Sequence, residues 1–236
     1  MKTEINIFHH KSGHIEEVKP TGLTVSEKHI FKYINLNDIK IPDYLKIDGL
    51  TKEENAAVYS EYLGILTLKP QSDFVGSFIY TITKKRKELW DYSTFLSFKD
   101  LLKINYDPSK LYMAQCLNCL GTGLSCKFLD KYTLDIHNNN TLSVGSKEIN
   151  PNGPYNGSFI VSKSRFLEYQ KWLKKATIYI LEKYTWRIGG KNNSPFHYSK
   201  DNSHIRHNVG CIGSLQERLT AYYFAQTFKD EDKIIL

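Results

Sequence analysis

Short segments rich in β-branched and aromatic residues alternate along this chain with segments whose apolar residues recur at helical spacing, and that alternation admits few folds. Glu4 to Phe8 alternates polar and apolar residues and reads as a first strand ending at His9-His10-Lys11. Thr51-x-x-Glu54 is a capping box, because a Thr hydroxyl and a Glu carboxylate at that spacing can each satisfy the other's backbone amide. It predicts a helix through about Leu68, with Val58, Tyr62, Ile65 and Leu66 at helical spacing and Pro70 as the stop. Asp73 to Thr83, DFVGSFIYTIT, then reads as a strand interrupted by Gly76.

The second half repeats the alternation. A short helix is expected near Ser97 to Ile104 and a strand over Lys110 to Cys116, followed by a Gly-containing loop. Asn and Gly make 137–154 loop by composition. Tyr155 to Ser162, YNGSFIVS, reads as a strand entering a long helix whose apolar face is Phe166, Tyr169, Leu173, Thr177, Ile180, Leu181 and Tyr184. Ile188 to Asn208 is a polar loop. Ser214-x-x-Glu217 is a further capping box, predicting a helix through GSLQERLTAYYF, and Lys233 to Leu236 suits a final strand. The expected architecture is a layered α/β domain with a mostly parallel sheet flanked by helices. Such sheets bind ligands beyond the carboxyl ends of their strands, which points to His9–Lys11, the segment after Thr83, and the loop from Ile188 to Gly213.

Composition narrows the partners. The chain has 236 residues and a formal charge of +7, which suits nucleic acid, an anionic membrane surface or an anionic small ligand. The one compact basic run, Lys84-Lys85-Arg86-Lys87, reads as a solvated face, and neither an RNA-binding signature nor Cys/His finger spacing accompanies it. Nucleic acid is therefore the weaker partner. The opening MKTEINIFHHKSG has no apolar core of signal-peptide length, and no stretch approaches the ~18 apolar residues of a membrane span. A cytoplasmic, soluble protein is expected, with charge-driven contact at a membrane surface left open. Cys116-x-x-Cys119 lacks a second pair at matching spacing, so the four cysteines read as free thiols rather than zinc ligands or a disulfide framework.

Phosphate-loop, dinucleotide and nucleophile-elbow fingerprints are all missing from the sequence. His9, His10 and Lys11 at a strand end could meet a diphosphate, Lys supplying charge and His a donor. His204-x-x-His207 has metal-compatible spacing but no carboxylate or cysteine beside it, so a solvated loop is the simpler reading. Asn55, Tyr59 and Glu61 fall on the first capped helix. Two positions separate Glu61 from Tyr59, so they cannot share a helix face, and Glu61 is expected to face solvent. An Asp-x-Asp motif, the usual holder of a divalent ion against a diphosphate, is missing; Asp230-Glu231-Asp232 reads as a solvated turn.

Five segments, taken in order, resemble a family of bacterial and viral sugar transferases associated with capsular and exopolysaccharide synthesis. They are INIFHHK, ENAAVYSEYLGIL, DFVGSFIYTITKK, YNGSFIVSKSRFLEYQKWL and GCIGSLQERLTAYYF. The first is similar to the family's strand ending in His-Lys, the second to its Tyr-x-Glu helix, and the last to its Gly-x-x-x-Glu-Arg-Leu ending. One departure stands out. Where the family's Val-Gly strand continues into His-Tyr-Arg-Arg, this chain has Ile79-Tyr80-Thr81-Ile82, so only the Tyr is kept.

The resemblance implies a single domain of the GT-A type over residues 1–236, with 1–110 as the nucleotide-sugar half and 111–236 as the acceptor and catalytic half. It implies a nucleotide-sugar-dependent glycosyltransferase, a UDP-sugar being the first donor to consider, acting on a glycan or lipid-linked acceptor hydroxyl. Donor contacts are expected from His9, His10, Lys11, Asn55, Tyr59, Glu61, Gly76 and Tyr80, and acceptor contacts from Asn156, Arg206 and His207. Glu217 and Arg218 are the expected catalytic pair. A carboxylate can deprotonate the acceptor hydroxyl, a cation can stabilise the leaving diphosphate, and a helix N-terminus would keep Glu217 ionised. Mn²⁺ or Mg²⁺ is expected from the fold type, without identified ligands. The rival reading is a non-catalytic module that holds an anionic glycan or nucleic acid on the same fold, and the missing Asp-x-Asp and the altered Val-Gly strand favour it.

Overall fold

The computed structural model describes residues 1–10, 23–79, 98–114, 153–154, 157–183, 187–188, 197–198 and 211–236. Their centre is a six-stranded sheet built from β1 (Thr3–His9), β2 (Phe31–Asn35), β3 (Phe74–Ile79), β4 (Leu111–Met113), β5 (Phe159–Ser162) and β8 (Lys233–Ile235). The strands lie in the order β2-β1-β3-β5-β4-β8. β1 runs parallel to β2 and β3, and β4 runs parallel to β8. β5 is antiparallel to both of its neighbours, so five strands point one way and β5 alone is reversed. The mostly parallel α/β sheet is as the alternation predicts. Strands from before and after residue 110 share it, joined by the pairing of β3 with β5.

Period-two patterning sorts side chains onto two apolar layers. Ile5, Ile7, Phe74, Phe78, Tyr112 and Ile160 face one layer, which is completed by Leu101 of the short helix α4 (Phe98–Leu101) and by Tyr106. Phe8, Val75, Phe159 and Val161 face the other, beneath four helices: α2 (Lys52–Tyr59), α3 (Glu61–Thr67), α5 (Lys163–Lys183) and α6 (Cys211–Thr227). The predicted face of α5 is the buried one: Phe166, Tyr169, Leu173, Thr177 and Ile180 are inside, with Trp172 and Ala176 beside them, while Leu181 is half-buried and Tyr184 lies outside the described residues. Tyr169 stacks at 4.8 Å on Phe224 and 5.2 Å on Tyr223, and Phe159 lies 4.7 Å from Phe224. Tilted and edge-on pairs of this kind each contribute about 0.5–1.5 kcal/mol beyond simple burial, and they fasten α6 to α5 and to the sheet.

Several boundaries differ from the sequence reading. The helix from Thr51 does carry its capping box, with the Thr51 hydroxyl accepting from the Glu54 amide at 3.2 Å and the Glu54 carboxylate accepting from the Thr51 amide at 2.9 Å. It is not continuous, however: Ser60 breaks it with φ 52° and ψ −139°. The last long helix begins at Cys211, so Ser214 lies inside it and is not its cap. A small helix, α1 (Val25–Lys28), precedes β2 and carries its own box between Thr24 and Glu27. The polar loop from Ile188 contains two very short parallel strands, β6 (Arg187–Ile188) and β7 (His197–Tyr198).

Candidate active site

The break at Ser60 organises the region above the sheet. A non-glycine residue at positive φ is strained by about 1–3 kcal/mol and persists only where the surroundings fix it. Here the Ser60 amide donates to the Ala56 carbonyl at 2.9 Å, closing α2, while its carbonyl accepts from the Leu63 amide at 3.1 Å, opening α3. Two glycines let other elements close on the junction. A Cβ on Gly64 would overlap the Phe8 ring, so α3 lies directly on β1 just before its carboxyl end. A Cβ on Gly213 would sit 3.3 Å from the Tyr59 carbonyl and 3.5 Å from Ser60 Cβ, so the first turn of α6 rests on the same junction.

That contact decides where Glu217 points. Residues four apart share a helix face, so Glu217 continues the stripe begun by Gly213, and Thr220 follows it. The stripe faces α2 and α3. Glu61, the first residue of α3, is buried at 7% exposure rather than solvent-facing. The expectation failed because it extended one helix through Ser60; the break turns Glu61 inward under α6. Burial raises the Glu61 carboxyl to about 7, the Ser60 hydroxyl counters that by hydrogen-bonding the ionised form, and the Glu217 charge raises it further. Glu217 itself is half-buried and stands in the second turn of α6, beyond the first-turn reach of the helix dipole that the expected Ser214 cap would have supplied.

A polar chain lines the inner side of this cluster. The Thr220 hydroxyl donates to the Gln216 carbonyl at 2.6 Å, so its single proton is spent, and the Tyr169 hydroxyl, 2.5 Å away, must be the donor to Thr220. Gln216 Nε2 donates to Thr177 Oγ1 at 2.8 Å. Burial raises Tyr62 and Tyr169 well above the ordinary phenol range, and Glu61 adds to both. Tyr62, Tyr169 and Thr220 are not site residues in the sequence reading. They carry a helical-face signal that reads simply as core.

The other expected site residues separate into groups. His9 is buried at the end of β1, in register with Asn35. The carbonyl of the half-buried His10 accepts from Asn37 Nδ2 at 2.8 Å, which pins the chain as it leaves the sheet. Asn55 is a scaffold rather than a donor contact: its amide protons go to the Leu50 and Thr51 carbonyls at 3.1 and 3.0 Å, and its oxygen accepts from the Ile47 amide at 2.9 Å. Tyr59 is fully buried and donates to the Leu45 carbonyl at 2.7 Å, so it too holds the 45–51 turn to α2. Gly76 lies in mid-strand between Ile5 and Ile160, where an added Cβ would come within 3.2 Å of Ile160 and 3.3 Å of Ile5; its smallness serves sheet packing, not ligand approach. Lys11, Tyr80, Asn156, Arg206 and His207 lie outside the described residues, as do Lys84–Lys87 and Cys116–Cys119.

Among the described residues, no three of His, Cys, Asp and Glu gather as metal ligands. Among the described residues no helix is long and apolar enough to cross a membrane.

No protein-family model matches the chain, and no curated protein matches it. Among solved structures, the apo structure of WbbM, a bifunctional glycosyltransferase, is similar at a TM-score of 0.49 and 15% sequence identity. The likeness covers 95% of this chain and 42% of that one, so the chain spans less than half the length of that protein.

Proposed function

We propose that this chain is a glycosyltransferase that moves a sugar from a nucleoside-diphosphate donor, a UDP-sugar first, to a hydroxyl of a glycan or lipid-linked acceptor. Two lines support the reading: the ordered resemblance of five sequence segments to polysaccharide-forming sugar transferases, and the place where two of those segments meet. The observation that carries it is that α3, from the Tyr-x-Glu segment and opening on the buried Glu61, and α6, from the Glu-Arg-Leu ending and carrying Glu217, close on one junction at Ser60, with α3 lying on β1 just before its carboxyl end. Carboxyl ends of strands are where open α/β sheets hold their ligands.

In this mechanism the Glu217 carboxylate accepts the acceptor hydroxyl's proton as the new oxygen–C1 bond forms and the bond from C1 to the diphosphate oxygen breaks. Arg218 and Lys11 meet the charge that builds on the leaving diphosphate, and His9 and His10 border the donor. Asn156, Arg206 and His207 take the acceptor side. The first test is a thermal-shift series with UDP, GDP, CMP and dTDP, each with and without Mn²⁺. A ligand at 100 times its dissociation constant adds about 2.7 kcal/mol of stability, which a melting curve resolves readily. A shift with one nucleotide, followed by loss of sugar transfer in a folded Glu217→Gln variant, is the expected result. No shift with any nucleotide would overturn the reading and leave a glycan-binding module.

A further inference from the structure

More than half of the chain's excess positive charge sits on one helix. α5 carries six basic residues against two acids, a net +4 of the formal +7. At about 100° per residue its side chains sort into two faces. Phe166, Tyr169, Leu173 and Ile180 point into the core. On the other side Leu167, Lys171, Lys174, Lys175 and Ile178 fall within about 100° of arc and extend about 17 Å along the axis. The three lysines are exposed, Leu167 keeps 42% of its surface in solvent, and Ile178 is half-buried. Glu182, one turn beyond Ile178, is the acid in the same arc, and Glu168 at its edge pairs with Arg165 at 3.3 Å. Lys171 and Lys175 make no ion pair among the described residues.

The basic surface extends past the helix. Lys174 Nζ lies 4.3 Å from the centre of the Tyr44 ring, which fastens α5 to the short turn Asp43–Leu45. Lys46 hydrogen-bonds the Asp43 carboxylate there, and Lys46 and Lys40 together hold that carboxyl below its usual range. Asp48 is exposed further along the same loop. Five lysines thus stand around this seam, and the acid among them, Asp43, is already neutralised by Lys46. Like charge gathered on an exposed face repels itself until something of opposite sign covers it.

We propose that this face of α5 is a docking surface for an anionic lipid bilayer. The choice of a bilayer rests on the reading of a lipid-linked acceptor, and two features of the face favour it over a nucleic acid. The arc holds lysines and no arginine, so it offers diffuse charge rather than forked donors for single phosphates, and it presents no aromatic ring for bases to stack on. It also sets Leu167 and Ile178 at the two ends of the lysine stripe, where apolar side chains gain by entering the headgroup boundary. Position gives the contact a use. Thr177 Oγ1 accepts from Gln216 Nε2 at 2.8 Å, so the lysine-bearing turns of α5 run alongside the turn of α6 that carries Glu217. A chain seated on lipid through α5 holds the candidate site about one helix width, or roughly 10 Å, from the headgroups that present a lipid-linked hydroxyl.

Vesicle flotation tests the surface without requiring activity. Wild-type protein should float with phosphatidylcholine vesicles containing roughly a third phosphatidylglycerol, stay behind with phosphatidylcholine alone, and be released by salt. Each lysine at an anionic surface is worth about fivefold in partitioning, so Lys171→Gln, Lys174→Gln and Lys175→Gln together should lower binding about 100-fold. Lys2→Gln, Lys28→Gln and Lys103→Gln take the same charge from other exposed positions and should change it by less than about fivefold. Leu167→Gln should weaken vesicle binding several-fold and leave binding to heparin, a lipid-free polyanion, unchanged. All these positions are exposed, and Gln is about as good a helix former as Lys, so the variants should melt like wild type. Equal losses in the two triple variants would overturn the assignment to α5, because net charge alone would then be acting. No flotation with the anionic vesicles, or binding to duplex DNA as tight as to them, would overturn the bilayer. The transferase reading fails separately: flotation without any nucleotide shift refutes that reading alone, and a nucleotide shift without flotation refutes only this surface.

Discussion

Replacing Glu61 by Gln should stabilise the folded protein at alkaline pH, and the size of the gain follows from the burial of one carboxyl. Glu61 takes up its proton at about 7 in the folded chain, against an ordinary 4.5. Each unit of difference is worth 1.36 kcal/mol, so the linked free energy is about 3 kcal/mol. The sign follows from which state binds the proton more tightly. Below about 4.5 both states are protonated and the folded protein bears no penalty. Between 4.5 and 7 the unfolded chain loses its proton while the folded chain keeps it, so stability declines as pH rises. Above 7 both are ionised, and the full cost of a buried charge beside Glu217 is present. The substituted amide is neutral throughout and should remove that slope. Chemical denaturation at pH 5 and pH 8 measures it directly: the variant-minus-wild-type difference should grow by about 2–3 kcal/mol between the two, or roughly 4–12 °C in melting temperature for a chain of this size. A difference that is the same at both pH values would mean that Glu61 is solvated, and the argument from burial would fail.

Three further substitutions test the packing that builds the site. Gly64→Ala places a methyl group in the Phe8 ring and should destabilise by about 1–3 kcal/mol in a urea melt; a change under about 0.5 kcal/mol would mean that α3 does not rest on β1. Ser60→Gly relieves the positive φ and should stabilise by about 1 kcal/mol at pH 5, with less gain at pH 8, because the hydroxyl that favours ionised Glu61 is lost with it. Thr220→Val removes the acceptor of the buried Tyr169 hydroxyl and should cost about 1–3 kcal/mol, whereas Thr220→Val combined with Tyr169→Phe should recover part of that; strictly additive losses would show that the two side chains are not coupled.

Much of the scaffold was legible because its signals are local. The strand at Glu4–Phe8, the Thr51 capping box, the apolar face of α5 and the mostly parallel order each depend on residues a few positions apart. The Thr24-x-x-Glu27 box before α1 was equally legible, and only its shortness hid it. The site was less readable because its geometry hinges on one backbone angle. Nothing in Tyr59-Ser60-Glu61 marks a helix break: no Gly or Pro stands there, and Ser at positive φ is a conformation that tertiary contacts impose. Extending the helix through Ser60 sent Glu61 to the wrong side. Asn55 and Tyr59 were expected as donor contacts from the resemblance alone, and in the structure their polar atoms tie down the turn at 45–51. Glu217 was expected from the resemblance to the Glu-Arg-Leu ending, with a helix start to keep it ionised, and the structure instead sets it in the second turn of α6, whose approach to the junction Gly213 allows.

The chain length between Ser60 and α6 has a consequence for assembly. β1 meets β3 across 71 positions (Thr3↔Phe74) and β5 meets β3 across 82 to 88, so the two sheet closures face similar entropy. The first turn of α6 reaches Ser60 across 153 positions (213 − 60), the longest of these closures. The burial of Glu61 is consequently a long-range feature that no isolated half of the chain can supply. Its protonation near neutrality would then report that the two halves have met, an ionisable group acting as the molecule's own record of assembly.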